Sequence, residues 1–142
     1  MRRLSLIGGI GLLLLSVSTT FAGTGTSVWQ TKVHVGSVVG GATLAQTANG
    51  KAASVAVKLY NVKPATKITV SLNEGACPST TTIARRLTFK APSAGPSVHR
   101  FWLTTAELAT LKADIAKKDA FSVTITAIGK TTDTACTTLT TR

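Results

Sequence analysis

The feature that most constrains this chain is a series of short segments in which apolar residues alternate with other residues, each segment ending in a turn. In "AASVAVKLY" (52–60) every second residue is apolar, namely Ala53, Val55, Val57 and Leu59. A period of two is typical of a β-strand with one buried face. Asn49-Gly50, just before this segment, favours a tight hairpin turn. The pattern therefore predicts antiparallel strands joined by hairpins.

Seven further segments share this character, and the whole set of predicted strands is 27–35, 41–46, 52–60, 67–73, 81–90, 98–103, 120–129 and 134–142. One segment has a different period. In "LTTAELATLKADIAKK", Thr104 and Glu107 have the spacing of a capping box, and Leu108, Leu111 and Ile115 form a helical stripe. We predict an all-β fold, an antiparallel β-sandwich or Greek-key barrel, with one short α-helix at about 105–117 before the penultimate strand.

The N-terminus reads "MRRLSLIGGIGLLLLSVSTTFAG", two arginines followed by an apolar run and then small residues. This order is typical of a secretory signal peptide, and Thr20 and Ala22 fit the positions before a cleavage site. We expect residues 1–22 to be the signal peptide and 23–142 to be a single domain. The protein is then secreted, extracellular or periplasmic and associated with the cell envelope, without a membrane span after cleavage.

The two cysteines, Cys77 and Cys136, admit three interpretations: a disulfide, metal ligands, or a reactive thiol. Export to an oxidising compartment and an even number of cysteines favour the disulfide. A zinc site needs four ligands, usually in closely spaced pairs, whereas the two cysteines and two histidines of this chain lie far apart. The disulfide would tie the loop after one strand to the last strand.

Few residues offer catalytic chemistry. The chain has only five acidic residues, and we assign Glu107 to the helix cap, Asp114 to a helix face, and Asp119 and Asp133 to turns. A pair of facing carboxylates for glycoside hydrolysis is therefore not evident. No G-x-S-x-G elbow, phosphate loop or dinucleotide fingerprint is present. We expect no enzyme activity, no cofactor and no metal site.

Charge is the remaining indication of function. The formal net charge is +11, which favours acidic partners. Five basic residues fall on the outward phase of predicted strands and would form one anion-binding face if those strands are neighbours: Lys58, Lys67, Arg86, Lys90 and Arg100. Trp102 shares the phase of Arg100 and could be a stacking platform. We interpret it instead as turned inward beside Leu108, because large aromatic residues usually bury most of their area.

The segments "GKAASVAVKLYNVKPATKITVSLNEGACPST" and "LTTAELATLKADIAKKDAFSVTITA", followed by a closing cysteine, resemble secreted β-sandwich domains of the chordin-type (CHRD) and copper/zinc superoxide-dismutase-like groups. The resemblance covers about residues 50–139 and implies the fold and the placement of the cysteines. A dismutase centre takes about six histidines and an aspartate. This chain has two histidines, His34 and His99, so the resemblance does not extend to that site.

The sequence thus predicts a secreted, non-enzymatic binding, structural or adhesion module that meets an anionic polymer or a component of the cell envelope through a basic face, without specific nucleic-acid recognition. The alternative is a small metal-binding or cryptic enzymatic domain that uses His34 or His99.

Overall fold

The computed structural model describes residues 25–79, 81–84, 87–128 and 132–141. The predicted signal peptide lies outside the described residues. Eight strands and one helix follow in the order β1 (Gly25–Val35), β2 (Val38–Thr47), β3 (Ala53–Tyr60), β4 (Lys67–Glu74), β5 (Leu87–Lys90), β6 (Ser97–Trp102), α1 (Thr105–Lys117), β7 (Phe121–Ile128) and β8 (Thr132–Thr141). The predicted fold class and the helix before the penultimate strand are confirmed.

The strands form one curled antiparallel sheet in the order β5-β4-β7-β8-β1-β2-β3-β6. Among the described residues, only two pairs join β1 to β8, Trp29 with Thr141 and Gln30 with Thr140. The sheet therefore consists of two four-stranded halves. We call β1-β2-β3-β6 the first half and β5-β4-β7-β8 the second half.

The apolar core lies between the two halves. Trp29 of β1 meets Phe121 of β7 edge-to-face, with ring centroids 5.7 Å apart, a favoured aromatic geometry. The alternating residues predicted to face inward are buried in β3, where Ala53, Val55, Val57 and Leu59 are at most 2% exposed, and in β4, where Ile68, Val70 and Leu72 are fully buried. The period of two in the sequence thus reflects one face packed on the core.

The two edge strands, β5 and β6, meet through side chains. Phe89 stacks on His99 with ring centroids 3.5 Å apart. In the described residues the two outer strands are thus joined by a ring contact and not by a ladder of backbone hydrogen bonds. Strand β5 is shorter than the predicted segment 81–90, because Ile83 and Ala84 both donate to the Leu72 carbonyl and are both buried, which interrupts the alternation there.

Helix α1 starts as predicted. Thr104 is the N-cap: its hydroxyl accepts from the Glu107 amide at 3.3 Å, and the Glu107 carboxylate accepts from the Thr104 amide at 2.8 Å. Leu108 and Leu111 are buried and Ile115 packs against the core. These contacts hold the helix over the core with its last turn beside the loop that follows β4.

Candidate ligand-binding groove

The solvent-facing side of the first half, which we call the outer face, is organised by the register of its strands. Outward positions align in cross-strand rows, and the central rows are Gln30–Thr43–Ala56–Arg100 and Lys32–Gly41–Lys58–Val98. Their neighbours on the opposite side, such as Val33, Leu44 and Val57, are buried in the core. The same alternation that builds the core therefore sets the composition of the outer face.

A groove runs over this face because the residues in its middle are small. Gly41 lies between Lys32 and Lys58 in one row, and Thr43 and Ala56 are adjacent in the next. Since neighbouring strands are about 4.8 Å apart, the Cα atoms of the two lysines are roughly 10 Å apart across Gly41. The lysines thus form walls above a floor that has almost no side chains.

The open groove has a volume of about 750 Å³. Its lining combines hydroxyl and amide groups with two cations and one aromatic ring, and comprises Gln30, Thr31, Lys32, Val39, Gly40, Gly41, Ala42, Thr43, Ala56, Val57, Lys58, Tyr60 and Thr140. Such a mixture can hydrogen-bond a hydroxylated ligand and neutralise its negative charge.

Apolar side chains surround the groove. The exposed large apolar residues found in the described part of the chain are all on outward positions of β2, β3 and β6, and they are Val39, Tyr60, Val98 and Trp102. The Lys58 Nζ atom lies 5.3 Å from the centroid of the Tyr60 ring, within the range of a cation–π contact. Val39 and Tyr60 line the groove, so a ligand in it would contact apolar surface as well as the two lysines.

The interpretation of Trp102 as an inward residue was wrong. Its side chain is 54% exposed. Strand β6 continues to its last residue, so Phe101 faces the core and Trp102 must face outward, in line with Ser54 of β3. The next residue, Leu103, packs against the core instead. Strand alternation here prevails over the tendency of tryptophan to be buried.

The basic residues predicted to form one face lie on both halves of the sheet. Lys58 and Arg100 are on the outer face of the first half. Lys67 and Lys90 are paired with each other on β4 and β5 of the second half. Arg86 lies outside the described residues. Sequence reasoning missed Lys32, although the alternation of β1 between buried Trp29 and Val33 places it outward.

The charge of the first half is of one sign. Strands β1, β2, β3 and β6 contain no aspartate or glutamate. The acidic residues of the chain lie in β4, in α1, after α1 and in β8. No carboxylate on these strands therefore competes with a ligand for the lysines of the groove.

The two histidines do not converge. His34 is exposed and belongs to the outward positions of β1, whereas His99 faces inward on β6, opposite Val57, and stacks on Phe89. Burial lowers the pKa of His99 below its ordinary value of 6.5, because desolvation penalises the charged form. Among the described residues, the group of side chains close enough to share a metal ion contains neither histidine.

The predicted disulfide is present. Cys77 and Cys136 are bonded, with Cα atoms 5.7 Å apart and 59 positions apart in the sequence. Cys77 lies in the loop after β4, and Cys136 pairs with Thr124 in the β7–β8 ladder. The bond therefore fixes that loop to the second half of the sheet and leaves neither cysteine available for catalysis or for a metal.

In comparisons with known proteins, no family model, no curated protein and no solved structure matches the chain. Helix α1 has 13 residues, and in the part of the chain that the structure describes no helix is long and apolar enough to cross a membrane.

Proposed function

We propose that this protein is an exported, non-enzymatic binding module whose outer-face groove takes a segment of an acidic polysaccharide. The observation that carries the proposal is the row Lys32–Gly41–Lys58, in which two cations flank a strip of sheet that has only small residues, Gly41 beside Thr43 and Ala56. A linear polymer can lie along such a strip with its acidic groups beside the lysines. The resemblance to chordin-type and dismutase-like domains stays a prediction.

The sign of the charge favours an anionic ligand. The first half has no acidic residue, and the chain as a whole has a formal net charge of +11. Lysine and arginine side chains of one sign raise the local concentration of an oppositely charged polymer and accelerate its association.

The polar lining favours a sugar polymer over other anions. Gln30 and Thr43 present amide and hydroxyl groups that can donate to and accept from sugar hydroxyls. The Thr140 hydroxyl donates to the Gln30 carbonyl at 3.1 Å and can accept from a sugar. Tyr60 offers a ring with a polar hydroxyl at the end of the groove, a combination suited to a ligand that is partly apolar and partly hydrated. A nucleic acid would instead use several successive aromatic platforms.

The disulfide agrees with a place outside the cytosol, where such bonds persist. An extracellular or periplasmic location is also where acidic polysaccharides occur as surface polymers. We therefore place the module in the cell envelope or outside the cell, as the N-terminal sequence predicts.

The test is binding to polygalacturonate, a linear uronic acid polymer, measured by isothermal titration calorimetry in EDTA-containing buffer. Two double variants carry the same change of charge: Lys32→Glu with Lys58→Glu in the groove, and Lys67→Glu with Lys90→Glu on the second half. We expect the groove variant to lose at least about tenfold in affinity and the control variant less than about threefold. Equal losses would show attraction to net charge alone and contradict the proposal.

Two more measurements separate sugar recognition from charge. Tyr60→Ala should weaken binding by roughly five- to tenfold without changing the salt dependence, because it removes ring contact and no charge. Single-stranded DNA of equal charge should bind less tightly than polygalacturonate. Tighter binding of the DNA would assign the groove to nucleic acid instead.

A further inference from the structure

A second cluster of polar side chains lies away from the groove, in the second half of the molecule. It consists of Glu74 at the end of β4, Asp114 in the last turn of α1, and Asp119 just after that helix. One carboxylate oxygen from each residue lies within 4.8 Å of the other two. Glu74 pairs with Phe121 and the Gly75 amide donates to the Ala120 carbonyl at 2.7 Å, so the backbone itself holds the end of β4 beside the helix.

The charge of this cluster is unbalanced. Three of the five acidic residues in the chain are in it. The Lys117 ammonium group contacts the Asp114 Oδ1 atom at 3.4 Å, and the lysine side chain is 63% exposed, so one solvated cation faces three carboxylates. Three carboxylates at such short range repel one another unless a cation lies between them.

Asp114 supplies an independent indication. It is only 2% exposed, and its Oδ2 atom has no hydrogen-bond partner. A buried carboxylate oxygen without a partner is destabilising unless a cation or a donor satisfies it. This unsatisfied oxygen belongs to one of the three carboxylates that converge, and so favours a cation at the same place.

The helix adds to the attraction. Asp114 is in the last turn of α1 and Asp119 follows its C-cap, Lys118. The C-terminal end of a helix carries a partial negative charge and favours a cation within about one turn. The cluster and the helix terminus therefore act on an ion in the same direction.

We propose that Glu74, Asp114 and Asp119 bind a calcium ion. Calcium prefers carboxylate and carbonyl oxygens at about 2.3–2.6 Å, so ligands on opposite sides of the ion are about 5 Å apart, which fits oxygens within 4.8 Å of one another. Magnesium requires closer, nearly octahedral ligands and gives up its water reluctantly. The ion would join the end of β4 to the end of α1, beside the loop that the disulfide already holds.

The test is thermal unfolding of the full chain after treatment with EDTA and dialysis. Addition of 10 mM CaCl₂ should raise Tm by roughly 5 to 10 °C for a dissociation constant on the order of 0.1 to 1 mM, which is usual for extracellular sites. The comparison samples contain MgCl₂ at the same concentration or NaCl at the same ionic strength. An equal rise with magnesium or with sodium would overturn the assignment to calcium.

The variant Asp119→Asn changes a half-buried residue to one of nearly the same size, and tests the site without creating a cavity in the core. Without calcium it should unfold at the same or a higher temperature than the wild type, because one repelling charge is gone. With calcium it should unfold at a lower temperature, because the ion has lost a ligand. A calcium-dependent rise equal to that of the wild type would contradict the proposal.

A variant that binds calcium more tightly would show that the three carboxylates bind the ion and do not have a structural role alone. Lys117→Gln removes the cation that competes for Asp114 and should tighten calcium binding about threefold in a calorimetric titration. Lys112→Gln makes the same change of charge on the same helix and should leave the affinity nearly unchanged. Equal effects of the two variants would mean that Lys117 does not compete with an ion at this site.

Discussion

Removal of the Cys77–Cys136 bond tests how the second half of the sheet is stabilised. The bond closes a loop with a sequence separation of 59. In the chain-entropy model a loop of that length lowers the entropy of the unfolded chain by an amount worth about 4 kcal/mol at 25 °C. We expect the double variant Cys77→Ala with Cys136→Ala to lose about that much of its free energy of unfolding.

The native contacts around the bond should allow the variant to fold. The Cys77 amide donates to the Thr138 hydroxyl at 3.1 Å, and Cys136 remains paired with Thr124 in the β7–β8 ladder. Neither contact needs a sulfur atom. The loss should therefore arise mainly in the unfolded chain, which becomes less compact.

Equilibrium unfolding in urea measures both effects. The fluorescence of Trp29, packed on Phe121 in the core, reports the transition. The m-value of the variant should rise, because a chain without the cross-link exposes more surface when it unfolds. Dithiothreitol should bring the wild type to the stability of the variant and leave the variant unchanged. A loss below about 1 kcal/mol with an unchanged m-value would refute the entropic argument.

Three further predictions concern the fold. Thr104→Ala should lower the free energy of unfolding by about 1 kcal/mol in a denaturant titration, because it removes the helix cap. Stability should fall as the pH drops below 6.5, since the unfolded chain protonates His99 more readily than the folded protein does. The variant His99→Gln should reduce this loss in thermal melts. Gly40→Ala should cost about 1 to 3 kcal/mol, because its Cβ would collide with a backbone carbonyl of β3, and more than Gly41→Ala, whose Cβ would lie 3.3 Å from its nearest neighbour.

The parts of the fold that local sequence determines could be predicted. Alternation marked β3 and β4 because each strand has one face on the core, and the capping box marked the start of α1 because its hydrogen bonds connect residues three apart. Trp102 is exposed because it follows the buried Phe101 on β6. The expectation that a large aromatic residue is buried was therefore wrong, whereas the alternation of β6 was sufficient to place Trp102 outward.

The sites depend on register and on contacts between distant segments. Gly41 becomes the floor between Lys32 and Lys58 only through the pairing of three strands. Likewise, the sequence assigns Asp114 and Asp119 to a helix face and a turn, and nothing local brings Glu74 beside them. Their convergence follows from the pairing of β4 with β7, which no period in the sequence reveals.

Basic and acidic residues are separated in this molecule, so the groove and the calcium site can each be tested without changing the other. The groove is on strands without acidic residues, whereas the calcium ligands belong to β4, to α1 and to the residues after it. Calcium also binds acidic polysaccharides directly, so a calcium-dependent change in polymer binding would not identify a site on the protein. With EDTA present, calcium does not contribute to polymer binding, and Asp119→Asn should leave that affinity unchanged. Without polymer, the thermal response to calcium should be the same in the wild type and in the groove variant Lys32→Glu with Lys58→Glu. A failure of one response with the other intact would therefore refute one proposal and not both.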